Sequence, residues 1–112
     1  MRIKGLVAVA LCALCFSAAA QFRTIAPAYE VLLSNFRPPE TANGGVAFRQ
    51  CGDCEMQQLP VTSSTVYVLN GQSVVLKEFR EALISVDNRE SVTVMVMHHL
   101  ESDTVIKVSV TI

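Results

Sequence analysis

From Val46 onward the chain alternates between two periods of apolar recurrence, two residues and about 3.6, and these delimit its elements. TVYVLNGQSVV places β-branched and aromatic residues from Thr65 to Leu69, then Asn70-Gly71, then a short return run. An Asn-Gly pair between such runs predicts a two-residue hairpin. VAFRQ, CGDC and EMQQLPVT predict a second hairpin, with Gly52 taking positive φ in a type II′ Gly-Asp turn and Pro60 at a strand edge or bulge. VVLKEFREALISV changes period: Leu76, Phe79, Leu83 and Val86 recur at helical spacing, with Lys77, Glu78, Arg80 and Glu81 on other faces, and Asp87, Asn88 and Arg89 end the pattern.

Two period-two segments close the chain. In SVTVMVMHHL, Val92, Val94 and Val96 point one way, and in TVIKVSVTI the set Ile106, Val108, Val110 and Ile112 opposes Lys107, Ser109 and Thr111. The predicted order is β-β-β-β-α-β-β. Short hairpins make the sheet mainly antiparallel, and one amphipathic helix must bury its stripe against it, which gives a small α+β domain over 46–112. An OB-like open barrel is the alternative, since short, evenly punctuated strands with one intervening helix also fit it.

Residues 21–45 lack this regularity. TIAPAYEVLLSNF can start a short helix at Pro27, with Tyr29, Val31, Leu32 and Phe36 as its apolar members, whereas RPPETANGG breaks any regular pattern. The segment reads as an N-terminal arm, a short helix or partly disordered.

Residues 1–20 have the layout of a secretory signal peptide: Arg2 and Lys4, an uncharged apolar run from Gly5 to Phe16, then small residues with Ala18 and Ala20 suited to the cleavage pockets. The apolar run is shorter than the ~20 residues of a membrane span. Cleavage after Ala20 leaves 92 of the 112 residues, enough for one small domain. Losing Arg2 and Lys4 leaves seven basic residues against ten acidic ones, a formal −3. With no run of Lys or Arg, the balance argues against nucleic acid as partner. The expected address is the periplasm or the exterior.

Export changes the meaning of Cys51 and Cys54 in RQCGDCEMQ. An oxidising compartment favours a disulfide between any two cysteines that can meet, here a staple across the predicted hairpin. A redox pair is the second reading, although Asp53, Glu55 and the following Pro60 do not supply the helix N-terminus that activates a thiol. A metal site is the third. It draws on Met95, Met97 and His99, which alternation places on one strand face at i, i+2 and i+4, a soft donor set suited to Cu(I).

That row is similar to the Met-x-Met-plus-His sites of small periplasmic copper chaperones, a resemblance confined to these residues; it implies Cu(I) binding on an OB-like barrel. Such sites normally include a stacking tryptophan, and this chain has none. Met95 and Met97 otherwise read as apolar contacts under the arm or in an interface. His98 shares the valine face and reads as capped or partly exposed.

The chain has no nucleophile elbow, glycine-rich phosphate loop, HExxH or paired carboxylates. The expectation is therefore a non-catalytic exported binding or accessory module that presents a sheet edge, or the face of Met95, Met97 and His99, to another exported or envelope protein or to a second copy of itself. A Cu(I)-binding or buffering protein is the alternative, and a thiol-disulfide redox protein the third.

Overall fold

A computed structural model describes residues 25–112; the signal peptide expected over 1–20, with its cleavage after Ala20, lies outside these residues. Seven strands form the sheet: β1 (Ala28–Leu32), β2 (Phe36–Arg37), β3 (Gly45–Phe48), β4 (Gln57–Leu69), β5 (Gln72–Val74), β6 (Thr93–His99) and β7 (Thr104–Val110), with helix α1 at Leu76–Ile84. Their order is β1-β6-β7-β4-β3-β2, with β5 beside β4. All pairings are antiparallel except β4 with β7. The sheet curls into a half-barrel with the helix on its concave side, an α+β domain with an open, barrel-like curvature.

The segment from 28 to 37 supplies both ends of the sheet, where a short helix from Pro27 was expected. Ala28–Leu32 pairs with β6, Ala28 opposite Met97 and Leu32 opposite Thr93. The physical reason lies in a second periodicity. Tyr29, Val31 and Leu33 alternate, and in the extended chain Val31 and Leu33 become buried with Tyr29 half-buried beside them. A helix would leave the edge of β6 unpaired and bring only part of this set inward. A 3-10 turn at Leu33–Asn35 then leads into β2, which pairs with β3.

EMQQLPVT and TVYVL, expected as separate strands, are one 13-residue strand, β4. Its first part pairs with β3 and its last with β5, and its register against β7 shifts between Val61 and Val66. Thr65 holds this irregularity. Its hydroxyl donates to the Val105 carbonyl oxygen at 2.6 Å and accepts from the Thr62 N–H at 3.0 Å. Pro60 sits opposite Gly45, where an added Cβ would approach the Leu59 carbonyl oxygen to 3.1 Å, so glycine permits the close pairing.

Asn70-Gly71 makes the expected two-residue hairpin, Leu69 opposite Gln72, with φ of 51° and 83° at the two central residues, as a type I′ turn requires. The CGDC hairpin differs from expectation. β3 and β4 close with Phe48 opposite Gln57, so the connection is eight residues long, and Gly52 does not take positive φ. The Arg49 N–H donates to the Asn35 carbonyl oxygen at 2.9 Å, so β3 stays paired with the β2 side one position past Phe48 before the connection begins.

Helix α1 buries Phe79 and Leu83, with Leu76 and Val86 packed at the core margin, and the Phe79 ring lies 5.2 Å from that of Tyr67. At its C-terminal end the Leu83 carbonyl oxygen accepts from the Val86 N–H at 3.3 Å and from the Arg89 guanidinium at 2.7 Å, which adds a positive charge at the negative end of the helix. On β7 the inward set is Val105, Val108 and Val110 rather than the continuous Ile106-to-Ile112 series. Ile106 is an extra residue facing the Met97/His98 step of β6, a bulge that flips one position, and Ile112 is exposed. No helix among the described residues is long and apolar enough to cross a membrane.

Candidate functional site

The convex face of the sheet is opposite the helix and carries the outward residues of β6. Alternation holds along this strand: Val94, Val96 and His98 are buried, while Met95 is exposed and Met97 and His99 are half-buried on the other side. Register extends them into cross-strand rows. Glu30, Met95, Ser109, Val68 and Ser73 form one row, and Ala28, Met97, Lys107 and Val66 form the next. Leu32, Val66 and Met95, which are 41%, 42% and 37% exposed, belong to this one face. A depression of about 310 Å³ opens beside Met95 and Ser109. Antiparallel faces left to water are ordinarily polar, so this mixed apolar surface is unusual for one without a covering layer.

Met95, Met97 and His99 thus share a face. Their cross-strand neighbours are Glu30, Ser109, Ala28, Lys107 and Thr104, which include no thioether, imidazole or thiolate, and Lys107 sets a positive charge opposite Met97. His99 Nδ1 accepts from the Ser102 N–H at 3.4 Å. Cys51 and Cys54 lie in the β3–β4 connection, with β4 and β7 between that end of the sheet and β6. Among the described residues no three His, Cys, Asp or Glu side chains gather as a metal group.

The cysteine sulfurs lie at disulfide distance, with Cα atoms 5.0 Å apart, and the Cys54 N–H donates to the Cys51 carbonyl oxygen at 3.3 Å. The pair closes a turn inside an exposed loop. Neither cysteine stands in the first turn of an α-helix, so the dipole that lowers a thiol pKa is missing.

His98 is the more deeply placed histidine, 7% exposed. Its Nε2–H donates to Asp103 Oδ1 at 2.8 Å, and the Tyr29 ring lies 6.4 Å away. This bond clasps the β6–β7 turn, where Asp103 has a φ of 53°. Elsewhere in the core, burial pushes the Tyr67 phenol pKa upward.

A charged site escaped sequence reasoning. Arg37, Arg49 and Arg89 line one depression of about 260 Å³, and Arg37, Arg80 and Arg89 line a second of about 240 Å³ next to it. These arginines stand 12, 31 and 9 positions apart in order along the chain, so no run of basic residues announces them. They meet because β2, the β3–β4 loop, the helix and the turn after it converge at one end of the sheet.

No protein-family model matches the chain, and no curated protein or solved structure does so either.

Proposed function

We propose that this protein is an exported, non-catalytic binding module that holds another exported or envelope protein on the convex face of its sheet. The observation that carries this reading is the register of Met95, Met97, Val66, Val68 and Leu32 on one uncovered face, with Glu30 and Lys107 among them to set orientation. Apolar residues mixed with a few charges match the composition of transient interfaces more closely than that of a solvated sheet. The disulfide-distance pair supports export, because such bonds persist outside the reducing cytosol.

A photoreactive amino acid placed at Met95 in the producing cell tests the reading. A discrete crosslinked protein, or a discrete dimer of this chain, is expected at position 95 and not when the same residue replaces Glu78 on the helix. Equal labelling at both positions, or none at 95, would overturn it.

A second reading, Cu(I) binding, is favoured by one observation: Met95, Met97 and His99 do share an accessible face. It requires Cu(I) retention that collapses in the triple alanine variant.

A further inference from the structure

The arginine end of the sheet supports an inference independent of the convex face. Residues 25–112 contain six basic side chains, and four of them, Arg37, Arg49, Arg80 and Arg89, line the two adjoining depressions. The domain as a whole is acidic, so this concentration runs against its average charge. None of the four pairs with a carboxylate, the ion pair among the described residues being that of His98 with Asp103. Glu40 is the one acid in either lining and belongs to the second depression, where its backbone carbonyl, rather than its side chain, accepts from Arg80 at 3.1 Å.

The four divide by what already holds them. Arg80 and Arg89 donate to backbone carbonyls and are half-buried, so their guanidiniums are fixed in place. Arg37 and Arg49 are exposed and make no side-chain hydrogen bond among the described residues. Uncompensated guanidiniums held close together repel one another, and an anion between them relieves that repulsion while taking bidentate hydrogen bonds. The depressions are shallow and continuous through Arg37 and Arg89, which suits a ligand bearing several anionic groups in series. Each also has an apolar wall, exposed Met56 in the first and exposed Ile84 beside half-buried Pro38 in the second. A bare phosphate or sulfate makes no use of such walls, whereas a peptide of mixed acidic and apolar side chains does.

We propose that Arg37, Arg49 and Arg89, with Arg80 at the far end, form a binding site for an acidic polypeptide segment, its carboxylates on the guanidiniums and its apolar side chains on Met56 and Ile84. The Cys51–Cys54 turn lies between Arg49 and Met56 in the chain and so tethers the loop that carries both.

The probe is an acetylated, amidated and fluorophore-labelled peptide of alternating glutamate and leucine, titrated by anisotropy against the oxidised mature protein at low salt and at 150 mM. Arg37→Gln/Arg49→Gln is the test variant because neither side chain supports the fold, and an unchanged urea midpoint verifies that. Lys107→Gln, which removes one positive charge from the convex face, is the control for charge lost away from the site. Affinity is expected to fall at least about ten-fold in the double variant, the loss of roughly one charge-assisted contact, and to stay unchanged in Lys107→Gln. Salt should weaken the wild-type complex, as exposed charge pairs require. No binding, equal binding by the double variant, or an equal loss in Lys107→Gln overturns the site. Binding of inorganic phosphate or of phosphatidylglycerol vesicles in place of the peptide overturns its assignment to a polypeptide.

Discussion

Replacing Thr65 by valine should remove the interaction that holds β4 to β7 across their change of register. The substitution nearly preserves shape, and valine is at home in a strand, so neither a cavity nor a propensity penalty obscures the result. What disappears is a hydroxyl that serves two backbone groups at once, the Val105 carbonyl at 2.6 Å and the Thr62 N–H at 3.0 Å. Thr65 is only 9% exposed, so water replaces it poorly. Each bond contributes about 1 kcal/mol net, and stranding a buried carbonyl adds about 1 kcal/mol or more, so the expected loss is about 2–3 kcal/mol. With a urea slope near 1 kcal/mol/M, as for other small domains, the unfolding midpoint should drop by about 2–3 M. Thr65→Ser keeps the hydroxyl and sacrifices one methyl, so it should cost about 1 kcal/mol. A valine variant within about 0.3 M of wild type, or a serine variant that is the worse of the two, would refute the assignment of this register shift to the Thr65 hydroxyl.

Three further outcomes follow from the same geometry. Because burial raises the Tyr67 pKa above its ordinary 10.0, the folded protein holds a proton there that the unfolded chain gives up; the associated stability is complete below pH 10 and is lost as pH rises through the folded-state value. Tyr67→Phe should therefore flatten the alkaline fall in urea midpoint, and an unaltered alkaline profile would count against the burial of this phenol. Gly71→Ala should cost about 1 kcal/mol in thermal or urea unfolding for its positive φ alone, since a Cβ there meets nothing within 4 Å. Arg89→Gln should cost about 1–2 kcal/mol by withdrawing the charge from the end of α1, with amide exchange accelerated first in the helix; uniform acceleration across the sheet would contradict a local cap.

Where two sequence signals agreed, the fold was legible. Asn70-Gly71 between β-branched runs became a hairpin, and the stripe of Leu76, Phe79 and Leu83 became the helix face against Tyr67. Where a segment carried two periods at once, tertiary pairing decided. Residues 28–33 contain apolar positions that fit a helix and others that fit a strand, and the open edge of β6 selects the strand. The irregularities were less legible: β4 advances five residues from Val61 to Val66 while β7 advances two from Val105 to Lys107, and Ile106 is an extra residue against β6. Pro60 marked an edge or bulge in β4, but neither it nor alternation placed these register shifts. The row of Met95, Met97 and His99 followed from alternation alone and lies on one face, as strand geometry requires. The arginine site could not be read this way, because its members come from four separate pieces of chain and only the closure of the half-barrel brings them together.

If a partner sits on the convex face, charges placed there should release it. Size-exclusion chromatography of the exported fraction from cells producing either wild type or Met95→Glu/Val66→Glu at native level, followed by immunodetection, reads this out. Wild type should elute well above the position of a chain of at most 12.2 kDa, and the double variant, with an unchanged circular dichroism spectrum, should elute as the lone chain. Wild type eluting as the lone chain, or a double variant that stays with the larger species, would rule out a partner on this face.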